Sequence, residues 1–175
     1  MAQRIIMLVG PDRCGKTEIA KELSKRTGIP RFKASTEHDT YLNGLGGFLN
    51  QLLYADPRAF DLAKQIGFSM IMDRAYPCEK VYSKVFNRKT DEMVLDIMDK
   101  RWASLGTKIV ICYRSSYKGI VDDLDSSINE TVLEKLSQEY FNFAAWTNCD
   151  VMMLNVDDEN LDREVTEIMN WLERE

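Results

Sequence analysis

The sequence predicts an α/β fold, a three-layer sandwich with a parallel sheet and helices on both faces. Three observations predict it. Apolar runs of strand length recur without polar interruption, which suits strands covered on both faces. Between these runs apolar residues return at helical spacing, so strands and helices alternate along the chain. The first strand also leads into Gly10-Pro11-Asp12-Arg13-Cys14-Gly15-Lys16-Thr17, a glycine-bearing loop that opens a helix.

Ile5-Ile6-Met7-Leu8-Val9 is the first strand, ending at Gly10. Ile19, Ala20 and Leu23 mark the helix after the loop, and Gly28 with Pro30 ends it. Phe32 to Ala34 has the length of a short second strand. Gly44, Gly46 and Gly47 make a loop, and helical spacing returns with Phe48, Leu49, Leu52 and Leu53. Pro57 divides that helix from one carrying Phe60, Leu62 and Ile66. Phe68 to Met72 is the next strand and ends at Asp73. Glu79 to Phe86 and Met93 to Trp102 read as helices. Lys108 to Tyr113 is a strand rich in β-branched residues. Val132, Leu136, Tyr140 and Phe143 mark a helix, Val151 to Val156 a strand, and Leu161, Val165, Ile168, Met169 and Leu172 the closing helix. No repeat, low-complexity tract or linker interrupts residues 1–175, so one domain is expected.

The composition is that of a soluble globular protein, 45% hydrophobic and 29% charged. With 23 basic against 28 acidic residues the net charge is −5, so no global field favours nucleic acid. Cys14, Cys78, Cys112 and Cys149 form no C-x-x-C pair, and His38 is the single histidine. A zinc site or disulfide framework is therefore not expected, and reduced thiols suit a cytoplasmic protein. No apolar run approaches the roughly 18 residues of a membrane span.

Residues 10–17 match G-x-x-x-x-G-K-[ST] in the strand–loop–helix context that the phosphate-binding P-loop requires. Such a loop cradles phosphates with backbone N–H groups and a helix N-terminus. Gly10, Asp12, Arg13, Cys14, Gly15, Lys16 and Thr17 are thus candidate ATP-binding residues. Lys16 is expected to reach the outer phosphates, and the Thr17 hydroxyl to bind Mg2+. Asp73-Arg74 closes a strand, and in open α/β sheets ligands bind beyond the carboxyl ends of the strands. Both residues are therefore expected in the same crevice. There Asp73 is a candidate for the metal or for a proton, and Arg74 for an acceptor phosphate. The acidic run Asp122–Asp125 reads as a solvated loop, His38 as an exposed loop residue, and Met70, Met72, Met152 and Met153 as core.

On these residues the sequence resembles the thymidylate kinases. The loop is similar to that of the eukaryotic-type enzymes, which carry Asp-Arg within it. Asp73-Arg74 followed by Val81-Tyr82-Ser83 is similar to the family's aspartate-arginine segment. Leu53-Tyr54-Ala55-Asp56-Pro57-Arg58 resembles a helix whose aromatic stacks on thymine and whose arginine binds the base. A spacing of four puts Tyr54 and Arg58 on one helix face. The three motifs cover the first half of the chain.

The resemblance implies a role for each residue. Arg13 contacts the γ-phosphate, Asp12 accepts the acceptor sugar's 3′-OH, and Arg74, with Tyr82 near it, holds the acceptor phosphate. Asp73 lies beside the metal, while Tyr54 and Arg58 hold a pyrimidine. Tyr54 also reads as a half-buried core aromatic. Either Arg31 or Lys33 replaces the phosphate-contacting arginine that the family often carries after its second strand. A short lid is implied near 117–130, yet its one cation is Lys118, so Arg13 or Arg114 must supply the transition-state charge.

The first functional expectation is an ATP- and Mg2+-dependent kinase acting on a thymine-like deoxynucleotide. The second is a kinase acting on hydroxymethyluracil in DNA, because short kinases of this type occur in bacteriophages. The third is a P-loop ATPase or switch. A homodimer is left open, and no membrane partner is expected.

Overall fold

The computed structural model describes residues 3–33, 56–120 and 128–174. Five strands form one all-parallel sheet: β1 (Ile5–Val9), β2 (Arg31–Lys33), β3 (Met70–Asp73), β4 (Lys108–Tyr113) and β5 (Asp150–Asn155), in the order β2-β3-β1-β4-β5. Among the described residues there are six helices: α1 (Lys16–Thr27), α2 (Asp56–Ile66), α3 (Tyr76–Val85), α4 (Glu92–Ala103), α5 (Glu130–Trp146) and α6 (Leu161–Leu172). The α/β three-layer expectation is met. The expected helix at Phe48–Leu53, together with Tyr54, His38 and Asp122–Asp125, lies outside the described residues.

β1 sits at the centre, paired with β3 on one side and β4 on the other. All five of its residues are buried, which is why its run is apolar without alternation. α1 packs with α6 on one face of the sheet, whereas α3 packs with α4 and α5 on the other. The chain leaves β1 towards β2 but leaves β4 towards β5, so their outgoing connections diverge. That is the switch point at which such sheets bind ligands.

Local chemistry sets the helix ends. Gly28, at φ 71°, closes α1 with its N–H on the Ser24 carbonyl. Asn129 caps α5 and Asn160 caps α6 through their side chains. Pro77 stands in the first turn of α3, which therefore begins at Tyr76, three residues earlier than the apolar pattern suggested. Inside the core the buried Asp99 carboxylate accepts from Tyr76 at 2.6 Å, from the Asn148 N–H at 2.8 Å, and from Thr147. These bonds tie α4 to the start of α3 and the end of α5. All four cysteines are buried and unpaired.

The close approach of β1 to β4 dictates Gly10. Its φ is 138°, and a Cβ there would stand 2.1 Å from the Cys112 carbonyl oxygen. Gly106, at φ 67°, has open space around the same position. Gly10→Ala is expected to cost about 3 kcal/mol or more, against about 1 kcal/mol for Gly106→Ala. Urea unfolding of the two variants checks this. Equal losses would show that the β1–β4 approach does not select the glycine.

Candidate active site

The loop from Gly10 to Gly15 turns between β1 and α1, with Arg13 at φ 65° and Gly15 at φ 63° as the N-cap. Left-handed residues on either side of Cys14 alternate the hand of the backbone, which turns successive N–H groups to one side and makes an anion nest. The loop stands at the N-terminus of α1, whose dipole adds to the same field. Lys16 is only 5% exposed, and its ammonium donates to the Pro11 carbonyl. The charge is thus folded back into the loop itself. Thr17 follows it, half-buried.

Two residues after β4 brace the loop from outside. Arg114 donates through Nε to the Arg13 carbonyl at 3.0 Å and through a terminal nitrogen to Glu159 at 2.7 Å. Tyr117 is buried, with its hydroxyl 3.4 Å from Cys14 Sγ and accepting the Arg114 backbone N–H at 3.3 Å. Burial pushes the Cys14 thiol pKa up against the pull of Lys16, so this thiol stays protonated. Arg13 is exposed. Arg13, Gly15, Arg114, Ile120, Val156 and Leu161 help line a cavity of about 530 Å3 beside the loop, a size that suits a small-molecule ligand.

On the other side of the loop Asp12 organises a polar cluster. Its carboxylate accepts from Arg74 through one oxygen and from the Tyr82 hydroxyl through the other at 2.7 Å. Burial works to raise the Asp12 pKa, but Arg74, Lys16 and the two hydrogen bonds outweigh it and hold the carboxyl below its usual range. Arg74 has φ 74°, a conformation that costs a non-glycine residue roughly 1–2 kcal/mol. This turn at the end of β3 sends its guanidinium back to the loop, and strain of this kind concentrates at working sites.

Asp73 is fully buried. Arg31 donates to its Oδ2 at 2.9 Å, and Oδ1 has no hydrogen-bond partner. Of the two expected alternatives, both of which lie within β2, Arg31 is therefore the one that reaches this carboxylate. Lys33 pairs with Asp73 only in backbone register, and its side chain is exposed. Arg58 is exposed in the first turns of α2. Among the described residues no group of three or more His, Cys, Asp or Glu side chains could hold a metal. A hydroxyl at Thr17, the unpaired carboxylate oxygen of Asp73 and ligand phosphates are all hard oxygen donors of the kind that suits such a cation.

The fold thus brings residues 10–17, Arg31, Asp73, Arg74, Tyr82 and Arg114 to the carboxyl ends of β1, β3 and β4. Sequence reasoning missed Tyr117, Glu159 and Glu164. None belongs to a motif, and their place beside the loop depends on how β4 and α6 pack.

No protein-family profile matches this chain, and no curated protein does. Solved structures do. The YorR protein of Bacillus subtilis, in complex with phosphorylated GDP, matches with a TM-score of 0.70 at 19% identity over 97% of this chain and 95% of that one. Deoxyadenosine kinase from M. mycoides with bound dATP matches at 0.64 and 21% identity, covering 96% and 98%. Thymidylate kinase from Candida albicans matches at 0.60 and 17%, covering 98% and 92%. The β1 loop, the Asp73-Arg74 strand end and the parallel sheet thus sit in a chain that has the fold of the deoxyadenosine and thymidylate kinases.

Proposed function

We propose that this protein is a nucleotide kinase that transfers the γ-phosphoryl group of ATP, with Mg2+, to a thymine-like deoxynucleotide. The observation that carries the proposal is the Asp12 cluster. An arginine suited to a phosphate is held by the carboxylate of the phosphate-binding loop itself, with Tyr82 on the second oxygen. A nucleotide switch has no need of a second phosphate site, whereas a kinase must place its acceptor beside the donor. Two of the similar structures hold nucleotides, phosphorylated GDP in one and dATP in the other, and this agrees with a nucleotide-binding crevice.

In this reading the loop N–H groups and Lys16 hold the donor phosphates, and Thr17 with Asp73 would hold Mg2+, which would offset the phosphates' charge. Arg74 grips the acceptor phosphate. Asp12 positions Arg74, and its remaining lone pairs take the sugar 3′-OH. Tyr54 and Arg58 hold the pyrimidine, with Arg58 donating to O4, where thymine has a carbonyl and cytosine an amino group.

Labelled ATP tested against dTMP, hydroxymethyl-dUMP, dCMP and DNA containing hydroxymethyluracil examines this directly. Stoichiometric transfer to dTMP or hydroxymethyl-dUMP, with dCMP disfavoured about 100-fold or more, is the expected result. Equal use of dCMP overturns the base assignment. Transfer to DNA alone overturns the role of Asp12, because the 3′-OH is esterified in a polymer. Hydrolysis without transfer overturns the kinase reading.

A further inference from the structure

One peptide of the phosphate-binding loop is clasped from outside on both of its sides. Arg114 Nε donates to the Arg13 carbonyl at 3.0 Å. The next side chain, Cys14, has its Sγ 3.4 Å from the Tyr117 hydroxyl. That hydroxyl also accepts the Arg114 backbone N–H at 3.3 Å, so Tyr117 touches both the loop and the residue that braces it. Tyr117 and Cys14 are both buried. Burial pushes the phenol pKa up, so the hydroxyl keeps its proton and two lone pairs for these contacts. Tyr117 belongs to no motif and has no role in the reading above.

A trans peptide points its C=O and its N–H in opposite directions. Holding the Arg13 carbonyl on Arg114 therefore turns the Cys14 N–H the other way, away from Arg114 and back into the loop. Rotated by half a turn, the same peptide would show its carbonyl to an anion, and an attractive contact would become a repulsive one. The backbone does not hold the favourable orientation unaided. Arg13 is a non-glycine residue at φ 65°, a strained conformation that persists only where its surroundings enforce it. The contacts of Arg114 and Tyr117 are what enforce it here.

We propose that Tyr117 is a positioning residue for the donor phosphates: through Cys14 Sγ and the Arg114 N–H, its hydroxyl fixes the Arg13–Cys14 peptide with the N–H turned to the phosphate site. This rests on the kinase reading above and concerns how its donor site is held in shape. An N–H already oriented needs no rearrangement when the anion arrives, which favours binding. Tyr117 itself touches no substrate; it acts through Cys14 and Arg114. Phenylalanine at this position keeps the ring and its packing but removes the oxygen. The Arg114 N–H and the Cys14 thiol then lose their shared partner, and the peptide is free to turn.

The test is calorimetric binding of ATP and of inorganic tripolyphosphate, each with Mg2+, to the full chain and to Tyr117→Phe, Cys14→Ala and the double variant. Tyr117→Phe is expected to weaken both ligands by about the same factor, roughly tenfold, because the defect lies where the phosphates bind. Cys14→Ala removes one of the two contacts and is expected to weaken both about threefold. The two changes act on one peptide, so the double variant should bind about as well as Tyr117→Phe alone. In turnover the KM for ATP should rise while kcat and the acceptor KM change little. A merely structural tyrosine would lower the Tm with both affinities unchanged, or weaken ATP and spare tripolyphosphate. Either result overturns the proposal, as does a double variant whose loss is the product of the single losses. Should Tyr117→Phe fail to fold, Cys14→Ala decides alone, and unchanged tripolyphosphate binding overturns the proposal. Wild-type protein that binds ATP but not tripolyphosphate overturns it too, since the loop would then not hold the phosphates. If the wild type binds neither, the kinase reading itself fails and this inference falls with it.

Discussion

Lys16→Ala is expected to lower phosphoryl transfer at least about 1,000-fold while leaving the fold in place. Lys16 begins α1, and its ammonium is buried against the Pro11 carbonyl within the loop. Charge develops on the transferred group, and a cation held in a water-poor nest stabilises that charge far more than one in bulk solvent. The fold depends on it little. The core packing beneath the loop comes from Ile19, Ala20 and Leu23, which the substitution does not touch. Removing a cation from a helix N-terminus also relieves an unfavourable dipole interaction, partly offsetting the lost bond to Pro11. A stability change within about 1 kcal/mol is expected. Lys16→Met keeps most of the buried stem and should be equally inactive. Thermal unfolding and a coupled turnover assay measure the two effects separately. Near-wild-type turnover in either variant would sink the assignment.

Arg13→Ala is expected to reduce kcat by about 1,000-fold and to raise the KM for ATP far less. The two candidate arginines differ in how they are held. Arg114 is bonded to the Arg13 carbonyl and to Glu159, so its fork already serves the scaffold. Arg13 is exposed at the cavity margin, where it can meet charge that appears only in the transition state. Arg114→Ala should instead loosen the loop and weaken donor binding, a change felt mainly in KM. Arg13 also sits at φ 65°, so Arg13→Gly should be at least as stable as Arg13→Ala and equally slow. Should Arg13→Ala prove nearly silent and Arg114→Ala crippling, the roles are reversed.

Much of the site was legible because its motifs are local. The phosphate-binding loop needs a strand, two glycines and a helix start in immediate succession, all of which are visible at residues 5–23. Asp73-Arg74 was placed at the crevice because a buried strand run ends there. The pairing of Asp12 with Arg74 and Tyr82 was not legible. It joins residues separated by 62 and 70 positions, and depends on the left-handed turn at Arg74. The choice between Arg31 and Lys33 was open for a related reason. Neighbouring residues on a strand point to opposite faces, so those two share a face, and only the reach to Asp73 separates them.

The sequence alone determined the order of strands and helices, the parallel sheet and the phosphate-binding loop. Each of these follows from hydrophobic period, glycine placement and spacing within a few residues. Tertiary structure decided which polar groups meet. It buried Lys16 in its own loop, set Tyr117 against Cys14 and pinned Arg114 to Arg13. Those outcomes come from the approach of β1 to β4 and the packing of α6 on α1. A side chain's partner across such a contact is set by geometry that no local pattern encodes.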